Sequence, residues 1–166
     1  QTKERKNNMT NTEQGEKNNK EVQLKQLNAL YEGDASYLIF SVKKHRYALK
    51  GSQILQIVNA QKVRALPFVP AFVEGILNIH GTPYAAVNTL LMDEEEDCEI
   101  PGSAYIILKR DDDHFSIHVS NIELFCEPEK EEIFADKIRY KQKFIPLFDS
   151  DRVEKRLFEA LSEEAL

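Results

Sequence analysis

With 166 residues, 42% of them apolar, the chain is long enough for one domain with a proper core, or for two small lobes sharing one, and is too apolar to be disordered throughout. No run approaches the roughly 18 consecutive apolar residues of a membrane helix, and the two cysteines, Cys98 and Cys126, lie far apart with no Cys-x-x-Cys, so neither a disulfide framework nor a zinc motif is signalled. The net charge of −6 is split: the first twenty residues hold five Lys/Arg and three Asp/Glu, leaving 17 against 25 elsewhere, an acidic body poorly suited to nucleic acid.

Residues 1–20 contain one apolar side chain, Met9, among Asn, Lys, Gln and Glu, and are expected to form a disordered tail. They are polar where a secretory signal would be apolar, so a cytoplasmic location is expected, with no direct membrane insertion. Leu24, Leu27, Leu30 and Tyr31 have helical spacing up to Gly33, which predicts a short helix leading into the body.

Tyr37 to Val42 (YLIFSV) and Arg46 to Leu49 (RYAL), joined through Lys43-Lys44-His45, read as a hairpin, and Gln53 to Val58 as a third strand. Leu66-Pro67 and Pro70 mark a bend. From Phe72 to Leu91 two apolar runs flank His80-Gly81-Thr82, a second hairpin. An acidic bridge follows, Asp93 to Glu99.

The pattern then restarts. YIILKRDDDHFSIHVSNIELF (Tyr105 to Phe125) lies over YLIFSVKKHRYALKGSQILQI at a constant offset of 68 residues, pairing Tyr37 with Tyr105, Ile39 with Ile107, Ser52 with Ser120 and Ile54 with Ile122. Tyr84 to Asn88 pairs with Ile145 to Asp149 at an offset of 61. Such a duplication predicts two pseudo-symmetric β lobes, at about 37–91 and about 104–158, because one set of short strands leaves an apolar face that a second must cover. Val153, Leu157 and Leu161, opened by Asp151 and Glu154, predict a closing helix.

Motifs for chemistry are missing: there is no phosphate-binding glycine loop, His-Glu-x-x-His, Gly-x-Ser-x-Gly or dinucleotide fingerprint. A non-enzymatic protein with no cofactor and no metal is expected. Asp111 to Asp113 with His114, and Asp93 to Asp97, carry metal-type ligands without calcium-loop spacing and are read as charged turns. His118 alternates with Ile117 and Val119, which places it on the opposite face of a strand and predicts a surface position. His80 stands at a turn tip between two apolar strands, where contact residues are commonly presented.

The series YLIFSV, RYAL, Ser-x-Ile-x-x-Ile-Val, Leu66-Pro67 with Pro70, then Phe72-Val73-x-Gly75-Ile76-x-Asn78-x-x-Gly81 and a strand ending in Asn88-x-Leu90 resembles the CheW family of chemotaxis coupling proteins. The likeness runs from about Tyr37 to about Phe158 and is most specific from Phe72 to Leu90. It implies a mainly β fold of two pseudo-symmetric, SH3-like five-stranded β-barrel lobes, with short helices at the N- and C-terminal ends, the domain spanning 21–166. It further implies an adaptor recruited to receptor arrays, whose partners are the regulatory domain of a CheA-type histidine kinase and the cytoplasmic tip of a chemoreceptor. Carried over by position, the contact residues are Ile54, Gln56, Gly75, Asn78, His80 and Gly81. Several positions depart from the family pattern: His80 stands where Arg is usual, Gln56 where Glu is frequent, Asn88 where Asp is common, and Ser116 and Ser120 replace a Gly-x-x-Val-Asp segment. From another class, the alternative is a β-barrel module that binds a small ligand or metal through its acidic loops and histidines.

Overall fold

A computed structural model of the chain describes residues 35–59 and 61–164; the expected tail over 1–20 and the expected helix before Gly33 lie outside these residues. In chain order the strands are β1 Tyr37–Val42, β2 His45–Lys50, β3 Ile54–Val58, β4 Val73–Ile79, β5 Thr82–Val87, β6 Ala104–Leu108, β7 Phe115–Val119, β8 Asn121–Cys126, β9 Lys137–Tyr140 and β10 Lys143–Pro146. Two α-helices complete the set, α1 Thr89–Met92 and α2 Ser150–Glu164. The anticipated hairpins are present, joined by two-residue turns at Lys43-Lys44 and His80-Gly81. α1 was not foreseen. Asn88 nucleates it by accepting hydrogen bonds on Oδ1 from the backbone of Leu90 and Leu91.

The strands do not divide between the two halves of the sequence. A five-stranded sheet runs β3-β6-β7-β5-β4, and a three-stranded sheet runs β2-β1-β8, with β10-β9 as a separate pair. β1 pairs with β8 and β3 with β6, so the first strand of each repeat is bonded to the third strand of the other. The five- and three-stranded sheets are therefore each built from both 37–91 and 104–158, an exchange of strands between the repeats. YLIFSV and YIILKR offer the same alternation, so either is able to pair with either third strand, and the crossed arrangement observed binds the repeats together.

The exchange is symmetric. Ala86 lies opposite Ser116 in the parallel β5–β7 pair, and the residues at their repeat positions, Leu147 and Ala48, form a lone parallel bridge between the β10 end and β2. The second set thus reads β8-β1-β2, then that bridge, then β10-β9. The ladders stay open, ending at β3 and β4 in one set and at β8 and β9 in the other, so closed five-stranded barrels are not seen among the described residues.

Three apolar layers follow from the period of two. On β1, Leu38, Phe40 and Val42 face a central core and Tyr37 and Ile39 a smaller one; on β6, Ile106 and Leu108 share that central core while Tyr105 and Ile107 face a third cluster. Because both faces are covered, β6 and β7 read as nearly continuous buried runs. Each fully buried Ile, Leu or Phe of these layers contributes roughly 1.5–3 kcal/mol. α2 closes the central core with Val153, fully buried, and Leu157; Leu161, the third residue of its expected apolar stripe, is exposed, as is Phe158.

Candidate functional site

The β4–β5 hairpin gathers four of the six sequence-predicted contact residues. At its base, Gly75 sits in a β-bulge with φ of +151°, where a Cβ would come within 2.2 Å of the Arg64 carbonyl oxygen. That close approach lets Arg64 and Ile76 exchange two backbone hydrogen bonds, 2.9 and 2.8 Å, which fasten the 61–66 segment along the outer edge of β4. Gly75 is buried and acts through the backbone.

At the tip, His80 and Gly81 adopt left-handed φ values of 50° and 85°, as a two-residue turn between right-twisted strands requires. Asn78 Oδ1 accepts a hydrogen bond from the Gly81 N–H at 2.9 Å and fixes the turn. Asn78, His80 and Gly81 are all exposed, so the imidazole stands on a stiffened tip open to solvent.

The other two residues lie elsewhere. Ile54 is only 2% exposed and belongs to the central core, because alternation on β3 turns it inward. Gln56 is half-buried on β3, opposite Ile107 of β6, and three strands separate it from β4 in the hydrogen-bonded order. A bulge between Ile54 and Gln56 leaves Leu55 exposed on that edge.

Beneath the hairpin lies a polar cluster that the sequence reading missed. His118 is 7% exposed rather than on the surface. It does face away from Ile117 and Val119, but the second face of this sheet is covered as well. Its Nδ1 is 2.7 Å from Glu74 Oε1 and its Nε2 is 2.8 Å from the Gly102 carbonyl oxygen, and its ring stacks on Tyr105 at 4.5 Å. Both partners only accept, so both ring nitrogens carry hydrogen and the imidazolium fits the site. Burial lowers the His118 pKa, yet the hydrogen bond and charge of Glu74, with the Gly102 carbonyl, outweigh it and raise the pKa above the usual histidine value. The Tyr105 hydroxyl donates to Glu74 Oε2 at 3.0 Å; burial first, then the Glu74 charge, raises the phenol pKa. Glu74, a carboxylate in an apolar strand, was the signal available in the sequence.

The acidic loops are engaged internally. Asp93 pairs with Arg152 at 2.6 Å, Glu95 with His45 and Asp97 with Lys43 at 2.6 Å, so alternate residues of the linker strap it to the β1–β2 hairpin and to α2. Asp113 binds Arg110, which also holds Asp151 and Glu154 at the start of α2. Among the described residues no group of three or more His, Cys, Asp or Glu is arranged to hold a metal ion. Cys126 is a free thiol whose pKa is pushed up to about 11 by burial and then by Glu132, against the lowering effect of Arg46. A thiol so shifted is a poor nucleophile. Ser116 and Ser120 have structural partners: Ser116 Oγ donates to the Ala85 carbonyl, and Ser120 Oγ donates to the Ser41 carbonyl while accepting from the Lys43 N–H. No helix among the described residues is long and apolar enough to cross a membrane.

Comparison with known proteins adds two findings. The family model described as the CheW-like domain matches residues 36–147. The crystal structure of the scaffolding protein TtCheW from Thermoanaerobacter tengcongensis superposes with a TM-score of 0.62 at 14% identity, covering 70% of this chain and 90% of that one, a likeness of fold. No curated protein matches the chain by sequence.

Proposed function

Since the chain belongs to the CheW-like domain family, we propose that it is a non-enzymatic signalling adaptor that couples a CheA-type histidine kinase to chemoreceptors in a cytoplasmic chemotaxis array. The observation that carries this reading is the family match, which spans the exchanged strands and both hairpins. The β4–β5 tip is in keeping with it: Asn78, His80 and Gly81 form an exposed element whose turn is fixed by the Asn78–Gly81 hydrogen bond. On this reading the regulatory domain of the kinase packs against one of the two pseudo-symmetric lobes and the receptor tip lies between them. Gln56 and the exposed Leu55 on the β3 edge contribute a second contact, and Ile54 and Gly75 support the surface from within.

Titration calorimetry of the intact chain against the isolated regulatory domain of the kinase tests the coupling role. Saturable binding is expected, weakened by about 1 kcal/mol or more in His80→Ala, the scale of a contact residue at an interface. Absence of binding to both the kinase domain and a receptor-tip fragment, by a chain shown to be folded, would reject the role and leave the fold intact.

A further inference from the structure

The β9–β10 hairpin is the repeat counterpart of the candidate contact hairpin, and its surface is of a different kind. Within eight residues it carries Lys137, Arg139, Lys141 and Lys143 and no carboxylate, on a chain whose net charge is −6. Elsewhere Lys43, Arg46, Arg110 and Arg152 are each paired with an acidic side chain, while others, among them Lys44 and Lys109, have no ion pair among the described residues. The four hairpin cations have no ion-pair partner among the described residues, although Asp136 precedes them directly and Glu127 to Glu132 lie just upstream in the chain.

Aromatic rings are interleaved with these cations. Phe134 and Phe144 are 41% and 57% exposed and meet edge to face at 5.7 Å, with the Lys137 ammonium 4.8 Å from the Phe144 centroid. Arg139 lies opposite Phe144 across the strands on this face, whereas Lys143, opposite Tyr140, starts on the other face. The surface is preformed: Ile138 and Ile145, paired on the other face, are 0% and 1% exposed and anchor the hairpin, and Lys141 and Gln142 take left-handed φ values of 47° and 64° in a two-residue turn.

We infer that this hairpin is a docking surface for a short acidic segment of a partner protein that carries an aromatic or aliphatic anchor residue. Charge complementarity sets the sign of the partner, and the exposed Phe134–Phe144 pair calls for an apolar group beside the carboxylates. The patch is four residues long on each strand, and charges are screened within about 8 Å at physiological ionic strength. A short segment meets only the patch, whereas an anionic membrane or a nucleic acid extends onto the acidic remainder and is repelled there. The inference stands apart from the kinase-coupling role and survives its failure.

Selection of short random peptides against the intact chain, followed by fluorescence anisotropy on the enriched synthetic peptides, tests it. Enrichment of Asp/Glu-rich peptides with an apolar residue is expected. Their affinity should fall roughly tenfold or more in the double variant Lys137→Glu, Arg139→Glu, and again in Phe144→Ser, with binding weakened by added salt. All three sites are solvent-facing or half-buried, and urea unfolding of each variant checks that the fold is kept. Recovery of peptides without acidic bias, or equal affinity for parent and variants, overturns the inference. So does patch-dependent binding to phosphatidylglycerol vesicles, to oligothymidine or to a second copy of the chain when acidic peptides are not retained.

Discussion

Both ring nitrogens of His118 point at acceptors, one on Glu74 and one on Gly102, so the charged imidazole is the form the fold holds. Its pKa is raised on folding, and a raised histidine pKa contributes stability that is complete below the unfolded value of about 6.5 and is lost as pH climbs through the folded value. Tyr105, also raised, stays neutral throughout this range and adds nothing to the change. Urea unfolding is therefore expected to show greater stability at pH 6 than at pH 8, and His118→Asn should lose most of that difference. A variant as pH-dependent as the parent would move the effect away from this residue. His118 also marks a limit of single-residue reading. Alternation gave the correct side of the strand, but whether that side meets water depends on what packs against the sheet, and the covering groups, Glu74 and the chain at Gly102, come from distant parts of the sequence. Gly75 and Ile54, expected at a contact, are both buried, and a residue that must fit closely inside looks the same in a sequence as one that must fit a partner.

At the scale of elements, α1 shows how one side chain decides a local structure. Asn88 is 4% exposed; its Oδ1 caps the helix, and its Nδ2 donates to the Cys98 carbonyl at 2.8 Å, tying the helix start to the end of the acidic linker. The family pattern favours Asp here, and a carboxylate would keep the cap but face the carbonyl without a donor. Asn88→Asp is accordingly expected to destabilise the chain by about 1–3 kcal/mol, the cost of a buried acceptor left unpaired, measurable as a lower urea midpoint at unchanged slope. An unchanged midpoint would mean that the linker contact is dispensable. Hairpins were the most legible elements, since alternating apolar runs around polar two-residue turns specify them locally, as at His80-Gly81. α1 was not legible because its four residues, Thr-Leu-Leu-Met, are too few to display a period. The loop before the β9–β10 hairpin is shorter in the second copy, so the two hairpins align only at the changed offset.

For the whole molecule, the 68-residue repeat was plain in the sequence, but its pairing was not, because equivalent strands cannot declare which copy they join. The observed exchange, β1 with β8 and β3 with β6, makes the five- and three-stranded sheets depend on both halves. Chains cut after Glu96 are expected to lack dispersed amide spectra as separate halves and to regain them on mixing; a half that gives a native-like spectrum as a monomer would contradict this dependence. The same topology has a consequence during synthesis. When β3 has left the ribosome, its hydrogen-bonding partner β6 is still some fifty residues from being made. At about 5–20 residues per second, the first repeat waits seconds with unpaired edges and an uncovered apolar face, the state most open to aggregation. The acidic linker between the copies, Asp93 to Glu99, emerges within that interval. Its like charges would keep nascent chains apart until β6 arrives to complete the sheet.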